Sequence, residues 1–250
     1  SEGTLGFSTA IHLKLQPIPV HKVLGVCHFP SFYKAMDSTQ HLVTLNPDAV
    51  ELVDRTMIEL ARSIPQFADK LKRFVKGEPD SLLLVEFSGE EIKPLEKKLS
   101  ELKALMESMG FRDAVVEVVA PSFQKEVWDV RKSGLNIMMS MKGDEKPVSC
   151  IEDCAVELKD LAEYTSRLNG LFEKYGTTGT WYAHASVGCL HVRPVLNMKN
   201  EQGAAAMRRI TEEAFEIVRE YGGSHSGEHG DGLVRSEFLE SMYGSRVVDA

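Results

Sequence analysis

Four of the eight histidines in this sequence, His184, His191, His225 and His229, fall in its last third. A lone histidine is more often a satisfied structural residue than a ligand, but clustering shifts that balance. His184 and His191 are seven positions apart, and in one unbroken strand an odd spacing sends two side chains to opposite faces. The residues between them, Ala185-Ser186-Val187-Gly188, are small and include a glycine, so the chain can turn and let both imidazoles converge. Neutral imidazole nitrogens suit zinc, manganese or iron. Two histidines leave a mononuclear site short of a ligand. Glu228 is the candidate third, in the glycine-rich segment Ser226-Gly227-Glu228-His229-Gly230-Asp231-Gly232, where glycines permit close backbone approach. Two histidines and a carboxylate leave open positions for substrate oxygens. The competing reading of residues 222–232 is a solvated loop after a helix.

His229 adjoins the proposed ligand. Its ordinary pKa near neutrality suits a general base that removes a hydroxyl proton, and a supporting role beside Glu228 is the alternative. Arg131 and Arg193 are candidate partners for a substrate carboxylate, because a guanidinium fork binds both oxygens; surface ion pairing is the plainer reading of each. Lys146 is a weaker candidate for the same task. Cys150 and Cys154 lack a second pair and read as core thiols.

The elements that must position these groups alternate between strand-like and helix-like patterns. Ile11 to Leu15 alternates as a strand, and Val23 to Phe29 reads as a buried strand followed by a helix from Phe32. Asn46-Pro47 has the form of an N-cap with proline at the first helical position, which predicts a helix running to Pro65. Ser81 to Phe87, Ala114 to Val119 and Val148 to Val156 read as strands. Apolar residues at helical spacing mark Ile92 to Met106, Phe123 to Arg131, Leu161 to Tyr175 and Met207 to Val218. Thr180 to His184 and Leu190 to Val195 read as strand segments flanking a bend. The pattern predicts an α+β fold, a ferredoxin-like sandwich with an antiparallel sheet covered by helices. A doubly wound parallel sheet is disfavoured because no glycine-rich phosphate loop joins strand to helix.

The net charge of −8 argues against a non-specific nucleic-acid surface, since no basic surplus exists to neutralise phosphates, and leaves room for a local basic pocket. No apolar run approaches a membrane-spanning length. Four scattered cysteines fit a reducing compartment, so a cytoplasmic location is expected, with peripheral attachment at an inner membrane as an option. The chain opens at Ser1 on residues that read like the middle of a domain, as expected of an excised piece of a longer polypeptide.

Tyr182-Ala183-His184-Ala185-Ser186-Val187-Gly188-Cys189-Leu190-His191 and Ser226-Gly227-Glu228-His229-Gly230 resemble the paired signatures of the FAD-linked oxidase C-terminal domain, in the vanillyl-alcohol oxidase class of flavoproteins. Ser1, Glu2, Gly3, Thr4, Leu5 and Gly6 resemble the last FAD-contacting element of the flavin domain that precedes it. The resemblance implies that residues 1–15 end an FAD-binding domain and that 16–250 form the substrate- and metal-binding domain. It implies oxidation of a D-2-hydroxy acid of the lactate, glycolate or 2-hydroxyglutarate type, with hydride passing to flavin N5. His184, His191 and Glu228 would then hold a divalent metal, zinc foremost, with His229 as base and Arg131 on the substrate carboxylate. The family's usual Gly-Asp-Gly-Asn is replaced by Ser186-Val187-Gly188-Cys189, and Arg193 stands where an asparagine is frequent. Such departures resemble long bacterial flavoproteins that continue into an iron–sulfur module; a partner flavoprotein or a quinone are the other expected electron acceptors, and an added arginine favours a second substrate carboxylate. A flavin-independent metallohydrolase and a non-catalytic metal-binding module are the competing functions.

Overall fold

The computed structural model describes residues 6–249. Its first half is a β-α-β-β-α-β unit: β1 (His21–Phe29), α1 (Phe32–Leu42), β2 (Ala49–Asp54), a helical pair α2 (Arg55–Arg62) and α3 (Pro65–Phe74), β3 (Ser81–Gly89), α4 (Ile92–Ser108) and β4 (Val115–Val118). The strands lie in the order β4-β1-β3-β2 with antiparallel pairing throughout. That is the ferredoxin-like arrangement anticipated from the sequence. Helices α5 (Pro121–Lys132) and α6 (Gly134–Met139) follow. The sheet then grows outward from β2 through β7 (Gly179–His184) and β8 (Cys189–Leu196), with the two-residue strands β5 (Lys146–Pro147) and β6 (Cys154–Ala155) both paired to β8. Helices α7 (Leu161–Lys174) and α8 (Glu201–Glu220) flank the β7–β8 pair in sequence, and a short α9 (Gly232–Arg235) lies beyond the glycine-rich segment.

Strand alternation sorts the side chains into two cores. Val23, Cys27, Leu52, Leu83 and Val85 point to one face, where α1, α4, α7 and α8 cover them. Leu24, Val26, Val53, Leu82 and Leu84 point to the other, beneath α2, α3, α5 and α6. Along α4, Leu95, Leu99, Leu102 and Met106 form one buried stripe, each contributing about 1.5–3 kcal/mol by leaving water. On β7 and β8, Trp181, Ala183, Leu190 and Val192 join the first core. Their alternates, Tyr182, His184, His191 and Arg193, project onto the second face, where the sequence turns polar.

Three expectations fail here. Ile11 to Leu15 forms no strand; Ile11, Leu13 and Leu15 are exposed, and no described strand edge pairs with them. Asn46 is not a helix N-cap but a left-handed residue (φ 54°) closing a 3-10 turn, and the segment behind it is β2. The helix starts only at Asp54, whose carboxylate accepts from Met57 N at 2.8 Å. Val148 to Val156 is not one strand. It is an irregular crossing with pairing only at its ends, interrupted where Asp153 adopts φ 77°.

Candidate functional site

The odd spacing of the two histidines is resolved by the β7–β8 hairpin. Tyr182 pairs directly with His191 and His184 with Cys189. Opposed residues in an antiparallel pair share a face, as do positions i and i+2 of one strand, so Tyr182, His184 and His191 all project the same way. The connection is a 3-10 turn, Ala185–Val187, closed by Gly188 at φ 68°. A Cβ at Gly188 would lie 2.0 Å from the Val156 carbonyl oxygen, so both the backbone angle and the space demand glycine.

The loop at residues 224–231 lays Glu228 and His229 over this hairpin. Glu228 Oε1 sits 3.4 Å from His184 Nε2, 3.2 Å from His191 Nε2 and 3.3 Å from His229 Nε2. His191 is buried, its ring between that of Tyr182 (centroids 4.7 Å apart) and that of His229 (5.3 Å, near-parallel), with the His184 ring edge-on at 5.0 Å. His184, Glu228 and His229 are partly open to solvent. The four residues singled out by spacing are therefore brought together.

Among the described residues, three groupings have donor atoms within 4.8 Å of one another: His184–His191–Glu228, Glu152–His191–His229 and Asp153–Glu228–His229. Chemistry separates them. Glu152 is already paired with a cation, since Arg193 donates to its Oε2 from Nε at 2.6 Å and from Nη2. Asp153 accepts hydrogen bonds on both carboxylate oxygens. In the first grouping the carboxylate, Glu228, has no arginine or lysine paired with it among the described residues, and Nε2 of both histidines faces it.

Sequence reasoning missed the carboxylates behind the histidines. Glu51 on β2 stands opposite His184 in register and meets its Nδ1 at 2.8 Å. Its other oxygen accepts from Arg131 Nη2 at 2.6 Å, and the Arg131 guanidinium also lies over the Tyr182 ring, 4.9 Å from its centroid. Glu152 Oε1 lies 3.4 Å from His191 Nδ1, at ion-pair distance without hydrogen-bond alignment. The signal for Glu51 was present: in Ala49-Val-Glu-Leu-Val-Asp54 a lone acid interrupts an apolar run, which calls for a partner. Glu152 and Asp153 carried no comparable signal.

The two arginines meet the cluster only through these acids. Both are buried; Arg193 commits two donors to Glu152, whereas Arg131 Nε is buried with no hydrogen-bond partner. Lys146 donates to the Met141 carbonyl, and none of the hydrogen bonds or ion pairs among the described residues joins it to the histidines. Gly6 is exposed, and Ser1, Glu2, Gly3, Thr4 and Leu5 lie outside the described residues.

The local electrostatics follow the contacts. His184 is raised above the ordinary histidine value, chiefly by its hydrogen bond to Glu51, against the opposing effect of burial. Burial pushes Glu152 up, but His191 and Arg193 together outweigh it and hold the carboxyl low. Burial raises Tyr182 and Cys189.

Comparison with known proteins bears on the family and the fold. The sequence matches the family described as FAD linked oxidases, C-terminal domain, over residues 18–250. It is 28% identical to the D-2-hydroxyglutarate dehydrogenase of Pseudomonas putida, covering 98% of this chain and 25% of that protein. It is 29% identical to the mitochondrial D-lactate dehydrogenase [cytochrome] of Arabidopsis thaliana, covering 98% and 41%, and 24% identical to glycolate oxidase subunit GlcD of Bacillus subtilis, covering 100% and 51%. The chain thus spans a quarter to a half of these relatives. Among solved structures, 4-ethylphenol oxidase from Gulosibacter chungangensis superposes with a TM-score of 0.63 at 10% identity, over 93% of this chain and 50% of that one, a likeness of fold. With the family's match spanning nearly all of its length, the chain belongs to the FAD linked oxidases, as their C-terminal domain.

Proposed function

We propose that this domain is the substrate- and metal-binding part of an FAD-dependent dehydrogenase that oxidises a D-2-hydroxy acid to the 2-oxo acid. The observation that carries the reading is the convergence of His184, His191 and Glu228 with His229 beside them. The names of the relatives support the substrate class.

The donor set fits a small divalent ion. Ligands about 2.0–2.1 Å from a tetrahedral zinc stand about 3.3–3.4 Å apart, close to the 3.2 and 3.4 Å from Glu228 Oε1 to the two imidazoles. Glu51 holds the proton on His184 Nδ1 and leaves Nε2 with its lone pair, as a carboxylate behind a ligating histidine does. When bound, the metal supplies Lewis-acid polarisation of the substrate hydroxyl, and FAD supplies the hydride acceptor. His229, exposed at the mouth of the cluster, accepts the hydroxyl proton at its free ring nitrogen. Arg131, paired with Glu51 beside the histidines, is the residue for the substrate carboxylate; Arg193 is the second candidate and Lys146, bonded to the Met141 carbonyl, the weakest. In this proposal FAD is held mainly by an upstream domain that ends within residues 1–15 and touches FAD through Ser1 to Gly6. The electrons leave to an iron–sulfur module, a flavoprotein or a quinone in the cytoplasm or at the inner membrane face.

The test uses the polypeptide expressed together with its flavin domain. D-lactate, glycolate and D-2-hydroxyglutarate are mixed with it anaerobically, and bleaching of the flavin absorbance is followed. The reading expects bleaching by at least one D-hydroxy acid, slowed at least about a hundredfold in His229→Ala. Turnover of any substrate by a flavin-free preparation contradicts it.

A further inference from the structure

The segment that carries Glu228 and His229 has no regular structure of its own, and Gly227, Glu228, His229 and Gly230 are exposed. Arg235 and the Ala155–Ser224 bridge hold its ends, and its middle, Gly227 to His229, is held from below by one residue. Asp153 is fully buried, and each of its carboxylate oxygens accepts twice. Oδ1 takes Glu228 N at 2.9 Å and Cys189 Sγ at 3.2 Å; Oδ2 takes His229 N at 2.9 Å and Ser226 Oγ at 2.5 Å. The Asp153 carbonyl accepts from Gly227 N at 2.6 Å, while its own N–H donates to Leu190 O at 2.7 Å. One residue therefore fastens β8, which bears His191, to the loop that bears Glu228.

Two further observations point the same way. Asp153 holds φ 77°, a left-handed conformation that a residue with a side chain keeps where its surroundings over-determine it. A Cβ at Gly227 would come 2.9 Å from Cys189 Sγ and 3.3 Å from Asp153 Oδ1, so only glycine allows so close a descent of the loop. Arg235 makes only a long ion pair with the carboxylate, Nη2 to Oδ2 at 4.0 Å, while its guanidinium donates to the carbonyls of Glu152, His225 and Gly230. The anion is balanced mainly by the amides it orders. Charge-assisted bonds of this kind are about twice as strong as neutral ones.

We propose that Asp153 is the positioning residue of the site: it sets Glu228 and His229 against His184 and His191. This rests on the function proposed above only for what the assembled groups then do. Asp153→Asn keeps the shape and suits the backbone angle, but cannot accept on both sides. Ser226→Ala is the milder second variant.

The experiment follows amide exchange of the metal-free chain by NMR, together with cobalt(II) titration. In the wild type, the Glu228 and His229 amides are expected to be protected; in Asp153→Asn they lose that protection while those of β7 and β8 keep theirs. Cobalt(II) affinity should fall about 10–100-fold, as for loss of a group that orients a ligand. Adding Glu228→Ala to Asp153→Asn should then cost less than about threefold more, because the ligand is already misplaced. Ser226→Ala should show a smaller loss in both readouts. Unchanged exchange at Glu228 and His229 in Asp153→Asn overturns the proposal, as does loss of protection throughout β7 and β8, which marks a merely structural role. Should the wild type take up no cobalt(II), the metal reading fails, and the exchange data alone decide for or against Asp153.

Discussion

At the scale of single residues, Glu51 does two jobs with one carboxylate. It holds His184 through Nδ1 and pairs with the buried Arg131. Glu51→Gln keeps one acceptor and the side chain's size but loses the charge, so it can satisfy one neighbour fully and not both. Metal affinity should fall about 10–100-fold, and stability by about 1–3 kcal/mol from the poorly satisfied guanidinium. Competition against a chelator and urea unfolding measure the two effects. His225 offers a different test. Its ring is fully buried, stacked 4.0 Å from that of Phe215, and neither nitrogen has a hydrogen-bond partner. Burial pushes its pKa down to about 4, and Arg219 and Arg235 add to the effect. Between pH 4 and 6.5 the unfolded chain holds a proton there that the folded chain does not, so stability is full above 6.5 and declines as pH falls toward 4. In His225→Phe this part of the acid loss should vanish, as judged by urea midpoints at pH 7 and pH 5. An identical pH slope in the variant contradicts the assignment.

At the scale of elements, the β7–β8 hairpin decides whether two histidines become a pair. Gly188→Ala forces a Cβ against the Val156 carbonyl at a positive φ. A loss of at least about 2 kcal/mol is expected in urea unfolding; a change within about 0.5 kcal/mol means the hairpin has another way to close. Much of this hairpin was legible beforehand, because the small residues from Ala185 to Gly188 announced a turn and strand alternation flanked it. Most helices and the α+β sandwich were legible for a similar reason: α4 and α7 carry long apolar stripes that packing against a sheet explains, whereas the strand order was not. The segment behind Asn46-Pro47 was misread because the same dipeptide serves a helix start and a left-handed turn. Asp54, which caps α2, is also the last residue of an apolar strand, a context that carries no helix-start pattern. Glu152 and Asp153 escaped because their roles depend on an irregular crossing that local pattern cannot foresee. Their partners, Arg193 and the Ser226–Gly230 loop, are 41 and about 75 residues away.

At the scale of the whole molecule, the sheet separates support from chemistry. Helices pack over one face from end to end, while the other gives way at β7 and β8 to Tyr182, His184, His191 and Arg193. Among the described residues no helix is long and apolar enough to cross a membrane. The domain alone is expected to bind metal yet leave D-2-hydroxy acids unchanged, since the proposed hydride acceptor belongs to another domain; measurable oxidation by the isolated chain would refute that division of labour. The central claim, that three side chains from a hairpin and a loop form one divalent-metal site, is tested most directly by zinc-edge anomalous diffraction from crystals of the chain grown with zinc. One anomalous peak about 2.0–2.1 Å from His184 Nε2, His191 Nε2 and a Glu228 oxygen is the predicted result. No peak between these atoms, with zinc bound only elsewhere or not at all, contradicts it.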